Sequence, residues 1–75
     1  MENYIEINPN ILVGKPVVKG TRIPVTLILN LLANGYTIDN ILEDYPVLTK
    51  ESVIGAIKYA EGQIVREEIH LNVTS

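Results

Sequence analysis

The alternation of hydrophobic and polar positions predicts a small β element at the start of the chain. Residues 4–7 (Tyr-Ile-Glu-Ile) alternate and carry β-branched side chains, which is typical of a short strand. Residues 17–18, two valines between a proline and a glycine, favour a second strand. Between these segments the run 11–13 is apolar, and we expect it to plug the core.

The segment 25–34 is apolar around most of a helical circumference. Its polar residues Thr26, Asn30 and Asn34 recur every four positions and form one narrow stripe, and Gly35 ends the helix. A helix of this kind needs cover on more than one side, and a small domain covers one. The pattern therefore predicts a homodimer. The residues that we expect at the dimer interface are Val25, Leu29 and Leu32.

Two more helices follow, and with the first they predict a mainly α fold, a trihelical helix-turn-helix domain with a small N-terminal β element. Thr37 caps a helix over 37–45, and a turn follows over 46–48. Thr49 caps the third helix, with Ser52 in the position of a capping-box acid. In such a unit the second helix enters the major groove of DNA. The predicted inner stripe of the third helix is Val53, Ile54, Ile57, Ala60 and Ile64, with Val65 beside it.

The period of the pattern changes near the end of the chain. Residues 68–74 (Glu-Ile-His-Leu-Asn-Val-Thr) alternate polar and apolar, which indicates a strand. Such a strand can pair with residues 4–7 of the same chain or of a dimer mate, or add to the sheet edge of a partner. The side chains that a partner would contact are Ile69, Leu71 and Val73. The single domain 1–75 then divides into a β element with a basic loop (1–23), a helical body (24–66) and a strand-like tail (67–75).

Composition limits the class of protein. A chain of 75 residues forms one domain, whose own core is marginal because it buries only roughly 60% of its unfolded surface. There is no cysteine, so neither a disulfide nor a cysteine-based zinc site is available. No apolar run reaches the roughly 18 residues of a membrane span, and the N-terminus lacks the positive region of a signal peptide. We therefore expect a cytoplasmic protein that makes no membrane contact.

The net charge of −3 argues against a purely electrostatic nucleic-acid binder, but the cations are concentrated. Residues 1–24 carry three cations against two acids, a net +1, whereas residues 25–48 carry three acids and no cation, a net −3. Arg22 has an alternative role, since pairing with Glu43 or Asp44 would lock the loop to the second helix. The residues that we predict to contact DNA are Lys15, Lys19, Arg22, Thr49, Lys50 and Ser52.

The sequence assembles no catalytic machinery. His70 is the only histidine and lies in the tail, and the acids of the second helix have no partner at metal-ligand spacing. We therefore expect no enzymatic activity, no cofactor, no metal and no small-molecule substrate.

Two strings of the chain resemble a prokaryotic family, domain of unknown function 433. They are residues 14–25 (Gly-Lys-Pro-Val-Val-Lys-Gly-Thr-Arg-Ile-Pro-Val) and 45–49 (Tyr-Pro-Val-Leu-Thr), within a likeness over residues 5–62. The resemblance implies a homeodomain-like or winged helix-turn-helix fold. It also implies an antitoxin of a type II toxin–antitoxin pair, which binds its own operator DNA as a dimer and neutralises a PIN-like toxin. The competing interpretation is a protein-interaction module that masks a partner without binding DNA.

Overall fold

The β element and the three helices predicted from the sequence are present in the computed structural model, which describes residues 3–74, with side chains as far as Ile64. The elements in chain order are β1 (Ile5–Ile7), one 3₁₀ turn (Leu12–Gly14), β2 (Pro16–Val18), α1 (Val25–Ala33), α2 (Ile38–Asp44) and α3 (Lys50–Thr74). The predicted mainly helical domain with a small N-terminal β element is confirmed. Within residues 3–74, no helix is both long and apolar enough to cross a membrane.

The two strands form an antiparallel hairpin in which Ile5 lies opposite Val18. Both residues are buried, and so is Val17, which lies opposite Glu6. A bridge between Val17 and Pro24 ties the hairpin to the start of α1. As a result, β1 packs against α3 and β2 packs against α1.

Local hydrogen bonds set the helix ends where the sequence predicts them. α1 ends in a Schellman motif, since the amide of Gly35 (φ 93°) donates to the Leu32 carbonyl and the next amide donates to the Leu31 carbonyl. α2 begins at a reciprocal capping box. Thr37 Oγ1 accepts from the Asn40 amide, and Asn40 Oδ1 accepts from the Thr37 amide, both at 3.1 Å. α1 therefore carries its own stop signal, and α2 carries its own start signal.

The core lies where the hairpin meets the three helices. Ile28 of α1, Ile41 of α2 and Val53 of α3 have no exposed surface. The remaining buried apolar residues are Ile5, Val17, Val18, Val25, Leu48, Ala56 and Ala60. Because one core joins all three helices, the connection from α2 to α3 is held in a fixed position.

The apolar run 11–13 lies on the surface, so the prediction that it plugs the core was wrong. Leu12 and Val13 have φ angles of 48° and 56°, in the left-handed region that β-branched residues rarely adopt. Val13 is 93% exposed. The hairpin supplies the core through Val17 and Val18 instead, and the run 11–13 only reverses the chain between the strands.

α3 continues as a helix to Thr74, so the strand predicted over 68–74 is wrong. Extending an existing helix adds one hydrogen bond per residue without a new nucleation step. No glycine or proline interrupts the chain after Gly62, and the boundary predicted at residue 67 falls inside the helix. The predicted partner contacts Ile69, Leu71 and Val73 lie outside the described side chains.

The inner face of α3 differs from the predicted stripe in two places. Ile64 is 53% exposed, whereas Ala56, which the predicted stripe omits, is fully buried. Gly55 lies outside the predicted inner stripe, on the face that would then be exposed, yet it lies against Tyr4. A Cβ built on Gly55 would stand 2.8 Å from Tyr4 Cδ2 and 2.9 Å from Tyr4 Cβ. The N-terminal segment therefore covers part of the face expected to be free.

Candidate nucleic-acid interface

The loop between β2 and α1 is held by a tight turn. The amide of Thr21 donates to the Val18 carbonyl at 3.0 Å, with Gly20 at a φ of 81° inside the turn. Thr21 Oγ1 donates to the same carbonyl at 2.8 Å and accepts from the Ile23 amide at 3.0 Å. These bonds fix the backbone on both sides of Arg22, whose side chain is exposed.

Arg22 lies on a concave surface that it shares with the turn before α3. The residues lining this surface, here called the Arg22 groove, are Glu6, Ile11, Gly20, Thr21, Arg22, Ile23 and Val47. Arg22 makes no ion pair with any residue whose side chain the structure describes. The alternative role for Arg22, pairing with Glu43 or Asp44, is therefore wrong. Its guanidinium group faces solvent and is available to a ligand.

The first turn of α3 is closed by a second reciprocal capping box. Thr49 Oγ1 accepts from the Ser52 amide at 3.1 Å, and Ser52 Oγ accepts from the Thr49 amide at 3.0 Å. The Ser52 hydroxyl also donates to the Thr49 carbonyl at 2.8 Å, and Ser52 is only 6% exposed. Ser52 therefore serves the helix cap. Its predicted contact with DNA is wrong, because the hydroxyl hydrogen is already donated inside the fold.

Thr49, Lys50 and Glu51 are exposed at the start of α3. Lys50 follows Val47 of the Arg22 groove by three residues. The loop cation and the first turn of α3 thus border the same short turn. Glu51 reduces the local positive charge, so this surface is only moderately basic.

The other two predicted cations have different surroundings. Lys15 borders a separate groove between α1 and α3, together with Leu29. Lys19 is exposed in the same turn as Arg22, and its backbone amide donates to the Tyr4 carbonyl at 2.8 Å. The predicted DNA-contacting set is therefore divided, with Lys15 on a different groove from Arg22.

α2 carries the opposite charge. Glu43 and Asp44 line a shallow surface pocket beside Tyr36, and both carboxylates are exposed. No described cation pairs with them. Because carboxylates repel phosphate, the surface around Glu43 and Asp44 is unfavourable for contact with DNA.

The three residues predicted at the dimer interface differ in how much of their surface is exposed. Val25 is 4% exposed and belongs to the chain's own core, so it leaves almost no surface for a second subunit. Its place in the predicted interface was wrong. Leu29 and Leu32 are half-buried against the core and keep part of their surface, so for them the interface stays a prediction.

Val47 is the part of the site that the sequence analysis missed. It is 64% exposed, while its neighbour Leu48 is 5% exposed. The Leu48 amide donates to the Tyr45 carbonyl at 2.9 Å, which closes the turn. Leu48 fills the core from this turn and Val47 remains at the surface. Two apolar neighbours in a tight turn rarely fit one core, and this was the available signal.

No metal-binding cluster lies among the described residues. Within that part of the chain, no three His, Asp or Glu residues come close enough together to hold a metal ion. The buried polar side-chain atoms there all have hydrogen-bond partners.

The three helices, the small hairpin and the α2–turn–α3 connection define a small mainly helical domain. The family described as "Protein of unknown function (DUF433)" matches residues 5–60, and the chain belongs to this family. It is 41% identical over 59 residues to "Uncharacterized protein y4eO" of Sinorhizobium fredii (strain NBRC 101917 / NGR234). That match takes in 79% of this chain and 27% of the relative, so the chain spans about a quarter of the relative's length.

A solved structure has the same fold. It is the crystal structure of a DUF433 member protein from Anabaena variabilis ATCC 29413, with a TM-score of 0.79 and 30% sequence identity. The similarity covers 99% of this chain and 71% of that chain. The arrangement of the hairpin and helices is thus shared with a family member of clearly different sequence.

Proposed function

We propose that this protein is the antitoxin of a type II toxin–antitoxin pair, which binds its own operator DNA as a dimer and neutralises a PIN-like toxin. The observation that carries the DNA-binding part is the Arg22 groove. Its lining includes both Arg22, a loop cation with no ion-pair partner among the described residues, and Val47, in the turn that leads into α3. The antitoxin part rests on the resemblance of residues 14–25 and 45–49 to the family, some of whose members look like antitoxins.

The chemistry of the α3 start supports a DNA contact. In helix-turn-helix proteins the start of the second helix contacts base edges in the major groove. Here Lys50 and the Thr49 side chain are exposed at that position. Arg22, beside the preceding turn, is available to a neighbouring phosphate, and arginine binds phosphate in a bidentate way. Phosphate contacts would set the orientation of the protein on the duplex, and the start of α3 would contact the base edges that distinguish one DNA sequence from another.

A salt series tests the proposal. The DNA probe is the region upstream of the protein's own gene, and its binding is measured by fluorescence anisotropy between about 50 and 200 mM salt. Lys50→Ala and Arg22→Ala should each weaken binding and lower the slope of log K against log salt by about one unit, as expected for one lost phosphate contact.

Lys58→Ala is the matched control, since it removes one exposed cation of the same helix. Lys58 borders the groove beside Tyr4, away from the Arg22 groove, so its slope should equal that of the wild type. If the salt slopes of Lys50→Ala, Arg22→Ala and Lys58→Ala are equal, the DNA lies on another surface. No binding at the lowest salt would reject operator binding.

The second candidate function is a protein-interaction module that masks a partner without binding DNA. It is favoured by exposed apolar side chains, since Ile7 is 59% exposed, Val47 64% and Val13 93%. The net charge of −3 points the same way. Co-expression with the product of the neighbouring reading frame tests partner binding, and the salt series tests DNA binding. A complex that is lost in Val13→Asp, formed by a protein that binds no DNA at the lowest salt, would favour masking.

A further inference from the structure

A groove between α1 and α3 has no occupant within the described part of the chain. Its volume is about 430 Å³. Val25 and Ala60 are its buried members, Leu29 and Tyr59 are half-buried, and Ile64 is 53% exposed. The remaining lining residues are Lys15, Pro16, Thr26 and Gln63. The groove is therefore mostly apolar, with one cation at its border.

α3 runs beyond the body of the domain next to this groove. Among its described side chains, the last buried one is Ala60, yet the helix continues to Thr74. The remaining 14 residues span roughly 21 Å at 1.5 Å per residue. A helix of about this length is marginal in water by itself, and most helices are stabilised by packing of one face. The second half of α3, residues 61–74, continues from the packed first half, and packing of one of its faces on a further surface would add to its stability.

We propose that the second half of α3 from another copy of this chain occupies the groove, with the two α3 helices antiparallel about a two-fold axis. The arrangement is reciprocal, because each copy offers one groove and one protruding half-helix, and a two-fold contact closes on itself. A stable interface takes roughly 800 Å² from each partner. The second half of α3 extends roughly 21 Å, so it contributes contact area beyond the α1 surface around Leu29.

Charge favours the same occupant. Lys15 borders the groove and pairs with no described residue. Residues 65–75 carry one arginine and two glutamates, a net charge of −1. An antiparallel partner thus brings an acidic segment to a groove whose charged member is a lysine. The proposal specifies the dimer of the proposed function, but it depends on neither the DNA contact nor the toxin.

Sedimentation equilibrium of the full chain at micromolar concentrations tests this interface. The wild type should be a dimer, and Ile64→Glu should weaken the dimer at least tenfold. Ile64 is 53% exposed, so the substitution leaves the fold intact, as circular dichroism would verify. Ile7→Glu is the matched control, because Ile7 is 59% exposed on β1, outside the groove. A monomeric wild type, or equal effects of the two variants, would overturn the proposal.

Disulfide trapping gives a second test that does not depend on affinity. The chain has no cysteine, so each introduced thiol is unique. Mixing Leu29→Cys chains with His70→Cys chains under oxidation should give a cross-linked heterodimer, since residue 70 lies in the second half of α3. Ile7→Cys mixed with His70→Cys should give none. Equal cross-linking in both mixtures would refute the groove. A trapped dimer that fails to bind DNA would reject only the operator function.

Discussion

The two halves of α3 each contain one glycine, and the two glycines have opposite surroundings. A Cβ on Gly55, in the first half, would stand 2.8 Å from the Tyr4 ring. A Cβ on Gly62, in the second half, would meet nothing within 4 Å. The first glycine therefore permits close packing of the N-terminal segment, and the second has no such role in the described structure.

This difference separates the part of α3 that builds the domain from the part that extends beyond it. The first half holds Val53, Ala56 and Ala60 in the core and begins at the Thr49–Ser52 capping box. The second half, where Gly62 and Ile64 are exposed, adds nothing to that core in its described side chains. Substitutions in the first half should therefore lower the free energy of unfolding. Those in the second half should change it little, and any change should come from altered association between copies of the chain.

The largest expected effect is that of Gly55→Ala. The new methyl group would overlap the Tyr4 ring and Cβ, and the Tyr4 backbone is held by its carbonyl bond to the Lys19 amide at 2.8 Å. Overpacking of this kind costs about 1–3 kcal/mol. The gain in helix propensity offsets about 1 kcal/mol of it. We expect a net loss of up to about 2 kcal/mol in the free energy of unfolding, measured by urea denaturation.

The double variant Tyr4→Ala with Gly55→Ala provides the control for this explanation. Removing the ring relieves the contact to Cδ2 but leaves Tyr4 Cβ, at 2.9 Å, in place. The two substitutions should therefore couple, with Gly55→Ala less harmful in the Tyr4→Ala background. If the effects simply add, the ring does not cause the loss.

A smaller effect is expected from Thr49→Ala. The substitution removes the acceptor of the Ser52 amide at the start of α3, and loss of such a cap costs about 1 kcal/mol. Thr49→Ser keeps the hydroxyl and is the matched control, so its unfolding midpoint in urea should remain near that of the wild type. A Thr49→Ser variant as unstable as Thr49→Ala would show that the methyl group matters more than the cap.

The sequence predicts the elements best where one residue decides a local geometry. Gly35 takes a positive φ at the end of α1, and Thr37 and Thr49 cap the next two helices, as their residue types indicate. Pairing with Asn40 and Ser52 completes both capping boxes within four residues. Such features need no knowledge of the rest of the fold, which is why pattern reasoning finds them.

The wrong predictions concern residues whose environment comes from distant parts of the chain. Periodicity directs Gly55 to solvent, but it carries no information that Tyr4 returns to cover it. Val13 and Leu12 are apolar, yet the turn between the strands leaves them at the surface. Ser52 is a local exception, because its hydroxyl donates to the Thr49 carbonyl three residues earlier, inside its own helix cap.

The candidate site was only partly predictable for the same reason. Arg22 and Lys50 are exposed, as a DNA-contacting role requires, and their charge could be read from the sequence. The groove that the loop shares with Val47 could not be predicted from the sequence, because it brings together residues 25 positions apart (22 and 47). The tail shows the limit of periodicity itself. Residues 69 and 73 are spaced by four, so the apolar positions that alternate also fit a helix, and the helix already formed continues through them.

The smallest expected effect is that of Gly62→Ala, and it has the opposite sign to Gly55→Ala. Glycine inside a helix is less favourable than alanine by about 1 kcal/mol, and the added methyl group meets no neighbour within 4 Å. Fraying of a helix beyond its packed half reduces the benefit, so we expect a gain of about 0.5 kcal/mol in urea unfolding and a larger gain in helical circular dichroism. A loss of stability would mean that a second copy packs closely against Gly62, and dilution should then abolish that loss. A loss that persists in the dilute monomer would contradict the distinction between the two halves of α3.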